Sequence, residues 1–326
     1  MKVLTTFKDF FDEKKKELEA LGYEFFYEKE SKLEFKPYME EVEVLVCYNP
    51  FNNVDIKRFK NLKWIQLSTV GIDQISQEVG EYIDSKGIIV TNNKGGYGIP
   101  IGEWIVMNIL ELSRNTAEFN ESRREKKWKP LYDITEIYGK KVVIIGTGNI
   151  AIEAAKRLKP FEVELIGVNT DGREVEHFNR CFDKTRINEA VAEGDFIVIT
   201  LPSTDKTQGI IDEKVLSAIN KQAYFINVSR GRVVDEEALI KKLKVGDIKG
   251  AALDVFKEEP LPKESPLWDL KNVIITPHNS WVSENGFLRR NKIIQRNLEG
   301  YARLARGEIA NPKEALINIT SFKKGY

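Results

Sequence analysis

Histidine, cysteine and methionine are scarce in this chain: two, two and three among 326 residues. Each shortage removes a class of chemistry. Cys47 and Cys181 stand far apart and lack the spacing of metal ligands, so they read as reduced thiols rather than a disulfide framework. Two histidines with isolated cysteines cannot build a usual zinc site, and no metal is expected. Any mechanism that needs an imidazole must use His177 or His278. An excess of charge of one sign is also missing. Lys plus Arg equals Asp plus Glu at 50 each, which leaves no basic field for nucleic acid and no polybasic membrane signal. No apolar run approaches the ~20 residues of a membrane-spanning helix. The start, MKVLTTFKDFFDEKKKEL, is charged almost at once and lacks the apolar core of a signal peptide. Repeats and low-complexity linkers are absent. The expectation is a soluble cytoplasmic protein without nucleic-acid or membrane partners.

What the chain does have is alternation. Its 326 residues suggest two domains, and an apolar fraction of 42% is enough for sizeable cores. Short apolar runs recur at Val42–Tyr48, Leu62–Ser68 and Ile88–Thr91, then at Val142, Val163, Phe196, Ala223, Gly250 and Asn272. Helical patterns lie between them. Continuous apolar strands separated by helices predict parallel sheets covered on both faces. Phe7, Phe10, Phe11, Leu18 and Leu21 suggest one apolar helical stripe. The stretch Glu103–Asn115 is apolar nearly all round and should be a buried helix, either against its own chain or at a subunit contact. Asp235 should cap EEALIKKLK, and a long helix should run from Ser283 to about Arg306, stopped by Gly307. The glycines and Pro100 of NNKGGYGIPIGEW mark a domain boundary before the apolar helix.

One stretch carries a ligand signature. Val142–Ile145 reads as a strand, Gly146-Thr147-Gly148 as a turn and Asn149–Lys159 as a helix, followed by the strand VELIGV. In such a βαβ unit Gly146 permits the tight turn. Gly148 lets the backbone approach a pyrophosphate, and Ala151 stands where a third glycine would assist packing. The reading is a dinucleotide site. At the end of the second strand an NAD enzyme usually has an acid, roughly 20 residues on. Here position 169, 23 residues after Gly146, is Asn169. Asn169, Thr170 and the nearby Arg173 can accept a 2′-phosphate that an acid would repel, so NADP is favoured over NAD. Asp171, two residues further on, restores an acid if the register shifts.

Three further clusters follow strands. NVSRGRVVDEEAL places Arg230 just past one strand, ALDVFKEEP offers Asp254, Glu258 and Glu259 after the next, and TPHNSW puts His278 after the last. In a doubly wound sheet that edge holds the ligand. Taken in order with GTGNIA, TLPSTDKTQGII and STVGID, these runs make the chain resemble the D-isomer-specific 2-hydroxyacid dehydrogenases across roughly residues 60–300.

The resemblance implies an α/β architecture of two Rossmann-like, doubly wound parallel-sheet domains with an interdomain active-site cleft. The substrate domain would comprise residues 1–100 and 293–326, and the dinucleotide domain residues 101–292. It also implies a homodimer, with the apolar helix as part of a dimer arm. The family's active-site arginine, glutamate and histidine fall on Arg230, Glu259 and His278, the acid being the one directly before proline. Arg230 would grip the carboxylate of a 2-keto acid and polarise its carbonyl. His278 would pass a proton to the carbonyl oxygen, with Glu259 on its other ring nitrogen. Relatives that oxidise formate have Gln in this place, so Glu259 speaks against that activity. His177 has no strand-end position and is left as a surface or packing residue.

Cofactor contacts carry over to Asn149 and Ile150 beside the glycine turn, and to Thr200, Leu201, Pro202 and Thr207 on the adenosine side. Val228 and Ser229 fall on the nicotinamide side. Asp254 would receive the carboxamide or cap local backbone. The backbone of Val70 and Gly71 is expected to meet the substrate carboxylate. Trp281 would close the pocket near His278 or pack at a domain or subunit contact. The expected activity is NAD(P)-dependent hydride transfer with small 2-keto or 2-hydroxy acids, glyoxylate and hydroxypyruvate first. Alternatives are 3-phosphoglycerate dehydrogenase, for which no C-terminal regulatory domain is visible, and a non-catalytic NAD(H)-sensing protein like the family's corepressors.

Overall fold

The computed structural model describes residues 1–8 and 14–322. Contacts divide them into two compact units, Met1–Tyr97 with Ser283–Tyr326, and Gly98–Val282. The second crossing precedes the expected 292/293. The helix Gly286–Ala305 is one continuous element, and its buried side chains Ile294, Leu298, Tyr301 and Ala302 pack in the core of the first unit.

The first unit holds strands β1 (Lys2–Thr5), β2 (Glu24–Tyr27), β3 (Val44–Cys47), β4 (Trp64–Leu67) and β5 (Ile89–Thr91). They pair in parallel in the order β2-β1-β3-β4-β5. β1 and β2 are short and were not legible as separate apolar runs. Leu18 and Leu21 of the expected stripe sit in and just after the short helix Lys15–Ala20, with Leu18 buried, while Phe7 lies before that helix. Phe10 and Phe11 lie outside the described residues.

The second unit holds β6 (Lys141–Ile145), β7 (Glu164–Asn169), β8 (Arg180–Asp183), β9 (Phe196–Ile199), β10 (Tyr224–Asn227), β11 (Gly250–Leu253) and β12 (Val273–Ile275). All pair in parallel, in the order β12-β11-β10-β9-β6-β7-β8. The chain steps outward from β6 to β8, returns to the far side of β6 at β9, then steps outward again. This is the doubly wound dinucleotide-binding order, with its switch point between β6 and β9. Both faces of the sheet are covered, and β6, β9 and β10 are apolar runs without polar alternation for that reason.

The apolar helix runs Gly98–Arg114 and starts earlier than the sequence suggested. Pro100 sits in its first turn, where a missing N–H costs nothing. Gly98 and Gly102 belong to its packing face. A Cβ on Gly98 would lie 2.1 Å from Asn149 Oδ1, and one on Gly102 would lie 3.0 Å from the Glu153–Ala154 backbone. These glycines let the helix press on the helix Asn149–Leu158 of the same unit. Among the described residues no helix is long and apolar enough to cross a membrane.

Candidate active site

At the carboxyl end of β6, Gly146 has φ +96°, and a Cβ there would meet Leu201 Cδ2 and Thr200 Oγ1 at 3.1 Å. Only glycine fits that turn. The Gly146 N–H donates to Val168 O at 2.8 Å, and Thr200 Oγ1 donates to Gly146 O at 2.6 Å, so β7 and β9 hold the turn from both sides of the switch point. Gly148 differs: nothing lies within 4 Å of a Cβ built on it. It caps the helix Asn149–Leu158 without a side-chain hydrogen bond, and no acid stands in the first turn. The backbone there is open to an approaching ligand, with the positive end of the helix dipole behind it. These features fit a dinucleotide pyrophosphate.

Thr147 is buried and its hydroxyl has no partner among the described residues. Asn149 and Ile150 are half-buried at the helix start. Thr200, Leu201 and Pro202 follow β9. Thr207 folds back onto that loop, donating from Oγ1 to Pro202 O at 2.6 Å and accepting from Thr204 N at 2.8 Å.

The loop after β7 departs from expectation in one respect. Asn169 spends both ends of its amide on its own turn: Oδ1 accepts from Gly172 N at 2.7 Å and from Asp171 N at 3.3 Å, and Nδ2 donates to Arg173 O at 2.9 Å. An amide committed in this way organises the loop instead of reaching for a phosphate. Arg173 and Asp171 are exposed and paired, Nη1 to Oδ1 at 2.7 Å, and this ion pair holds the Asp171 carboxyl below its ordinary value. Thr170 is exposed beside them.

The three clusters at β10, β11 and β12 follow neighbouring strands in the sheet. After β10, Asn227 Oδ1 accepts from Ser229 N and Oγ at 3.0 and 2.7 Å. That turn carries the buried Val228 and Ser229 and the half-buried Arg230, whose Nη1 donates to Ser229 O at 2.8 Å. The next residue, Gly231, was not singled out by the sequence. A Cβ on it would stand 1.9 Å from the Phe256 carbonyl carbon. No side chain fits, and this contact presses the Arg230 loop against the loop that carries Glu259.

After β11, Glu259 turns back so that Oε1 accepts from Phe256 N at 3.0 Å, and Oε2 lies 2.7 Å from His278 Nδ1. Glu258 does not make this contact; the acid directly before proline does. Burial pushes the Glu259 carboxyl up. The His278 hydrogen bond, the Phe256 N–H and the attraction of His278 and Arg230 outweigh it and hold the group below its ordinary value. An ionised carboxylate only accepts, so Nδ1 carries the hydrogen and Nε2 is the nitrogen left for other chemistry.

Asp254 is fully buried at the end of β11, and its carboxylate accepts from Thr276 Oγ1 at 2.5 Å, Asn279 N at 3.0 Å and Ser280 N at 3.1 Å. Local groups take three of its roughly four acceptor positions, which leaves room for the other expected role, a bond from the carboxamide. Trp281 Nε1 donates to His278 O at 3.0 Å, which places the indole on the same loop as the imidazole. His177 lies on the turn before β8, with φ +73°, away from these strand ends. Val70 and Gly71 lie in the first unit after β4; Thr69 Oγ1 donates to Gly71 O at 2.9 Å and Asn92 Nδ2 to Val70 O at 2.6 Å.

Residues 106–280 match the model of the D-isomer specific 2-hydroxyacid dehydrogenase NAD binding domain. A D-3-phosphoglycerate dehydrogenase of Methanocaldococcus jannaschii is 34% identical over 83% of this chain, which spans about half of that protein, 51%. A glyoxylate reductase of Thermofilum pendens is 36% identical over 73% of this chain and 71% of its own length. Among solved structures, a D-isomer specific 2-hydroxyacid dehydrogenase of Xanthobacter autotrophicus Py2, in complex with NADPH and MES, is 26% identical. It superposes with a TM-score of 0.82 over 100% of this chain and 99% of that one.

Proposed function

The chain belongs to the D-isomer-specific 2-hydroxyacid dehydrogenase family, and from that premise we propose that it reduces small 2-keto acids to 2-hydroxy acids with NADPH. One observation carries the reading: Glu259 Oε2 lies 2.7 Å from Nδ1 of His278, beside an arginine loop on the neighbouring strand end. Support for the substrate class comes from the similarity to glyoxylate reductases, and glyoxylate and hydroxypyruvate are the first candidates.

When bound, a reduced nicotinamide supplies the hydride that the carbonyl carbon accepts. The residues of the chain do the rest. The Arg230 guanidinium forks onto the substrate carboxylate and draws charge toward the carbonyl oxygen. Glu259 fixes the tautomer and orientation of the imidazole. In its imidazolium form His278 hands the Nε2 proton to the carbonyl oxygen as the alkoxide develops, keeping the Nδ1 hydrogen on Glu259, and the neutral ring takes a proton back at Nε2 in the reverse direction. The turn Gly146–Gly148 would hold the pyrophosphate. Thr200, Leu201, Pro202 and Thr207 would line the adenosine, and Val228 and Ser229 the nicotinamide.

The preference for NADPH rests on the neutral residue at position 169 and on Arg173, which is exposed and able to leave Asp171 for a 2′-phosphate. Initial rates with NADPH and NADH across glyoxylate, hydroxypyruvate, pyruvate and phenylpyruvate test this. NADPH should win in kcat/KM. Arg173→Ala should erase roughly tenfold of the preference, the scale of one charge-assisted hydrogen bond. A wild-type preference for NADH would overturn the cofactor reading. No turnover with any acid would overturn the enzyme and leave a nucleotide-sensing role.

A homodimer is the assembly we propose. Trp128 and Tyr132 are 96% and 93% exposed on one irregular segment, and rings of this kind are enriched at protein interfaces. Sedimentation should show a dimer for the wild type and a shift toward monomer for Trp128→Ala/Tyr132→Ala. A monomeric wild type would sink the proposal.

A further inference from the structure

His278 sits on a poorly supported piece of backbone. β12 is the outermost strand of its sheet and has a neighbour on one side only, β11. On the loop that follows it, His278 has φ +51°, a left-handed conformation that L side chains adopt only where the surroundings over-determine it. The bonds that do so converge on one residue of β11's end. The His278 N–H donates to Asp254 O at 2.8 Å. The Asp254 carboxylate takes Thr276 Oγ1, Asn279 N and Ser280 N, bracketing the histidine from both sides. The bonds of the Asp254 carboxylate go to the Thr276 hydroxyl and to loop backbone, and the Thr276 hydroxyl has no other part in the chemistry proposed above.

We propose that Asp254 and Thr276 are positioning residues, a buried carboxylate–hydroxyl pair that fixes the 276–280 loop so that the His278 ring meets Glu259. The inference rests on the reading that His278 is the proton donor. The physical reason is the edge position. A loop in mid-sheet is gripped by strands on both sides, whereas this one has a single neighbour. The carboxylate supplies the missing constraint. Because Asp254 is fully buried, its oxygens need donors, and the two loop N–H groups alone leave one lobe of Oδ1 without the short bond from Thr276. Removing that hydroxyl leaves the carboxylate with only its two loop N–H bonds, loosens its hold, and lets the left-handed turn relax.

The test compares Thr276→Val, which keeps shape and loses the hydroxyl, with Thr276→Ser, which keeps the hydroxyl. Three quantities are read: kcat with a 2-keto acid, the Kd of NADPH, and the imidazole 15N shifts of His278, simple to follow in a chain with two histidines. The Val variant should lose roughly ten- to a hundredfold in kcat, the scale of a misplaced catalytic group. NADPH affinity should stay within about twofold, and the Nδ1 signal should move away from its carboxylate-bonded position. The Ser variant should restore both kcat and the shift. A Val variant with unchanged kcat and shifts overturns the proposal, and so does a Ser variant that fails to rescue them. If the wild type reduces no 2-keto acid, the proposed function falls, while the imidazole shifts of the two variants still decide whether the pair positions the ring.

Discussion

His278→Ala will lower 2-keto acid reduction by roughly 10²- to 10⁴-fold, the usual share of a positioned acid–base group, with the Kd of NADPH changed less than about twofold. The imidazole is held by Glu259 through Nδ1 and presents Nε2, so deleting it leaves the developing alkoxide without a donor. The glycine turn after β6 depends on Gly146, Val168 and Thr200 and on no part of the histidine loop, which is why cofactor affinity should survive. Stopped-flow reduction alongside a fluorescence titration of NADPH separates the two effects. Turnover that persists would mean the proton donor is misassigned, since the only other histidine lies on the turn before β8.

Arg230→Lys is expected to cost about 10²- to 10⁴-fold in kcat/KM for the keto acid. Lysine keeps the charge and loses the planar fork, and each charge-assisted hydrogen bond contributes about 1.5–3 kcal/mol. Two such bonds, one to the carboxylate and one toward the carbonyl oxygen, give that range. The loss should persist at saturating substrate, because the contact to the carbonyl oxygen strengthens as charge develops there. The fold should survive: the turn that carries the residue is built by Asn227, Ser229 and Gly231, and the Arg230 side chain adds to it a bond from Nη1 to Ser229 O. Steady-state kinetics with a melting curve tests this. A lysine variant with near-normal kcat/KM would remove Arg230 from the mechanism.

Nine of the twelve strands in the described residues were legible as apolar runs. β2 and β8 were not because they are edge strands whose residues are mostly half-buried or exposed, and β8 has polar residues at both ends. β1 is buried, but its apolar run is only Val3-Leu4 between Lys2 and Thr5. Within the GIPIG stretch only the helix start was placed too late, at Glu103 instead of Gly98, for a different reason. Glycine and proline signal a break in the chain, but Gly98 and Gly102 are there because another helix occupies the space their side chains would fill. For Asn169 the residue type was legible and its job was not: a neutral amide fits both a ligand contact and an Asx turn, and only the hydrogen bonds distinguish them. Asp254 was open between two roles for the same reason.

By itself, the sequence determined the parallel α/β class and the two-glycine turn between a strand and a helix. Both are local patterns, set by which neighbours along the chain are apolar and which lack a Cβ. Tertiary structure decided which carboxylates meet which groups. Glu259 reaches His278, Asp254 is occupied by Thr276, and Gly231 lies against Phe256, because β10, β11 and β12 lie side by side in one sheet. Contacts between strands depend on lateral order and on a few ångströms of loop geometry, and periodicity along a single strand carries neither.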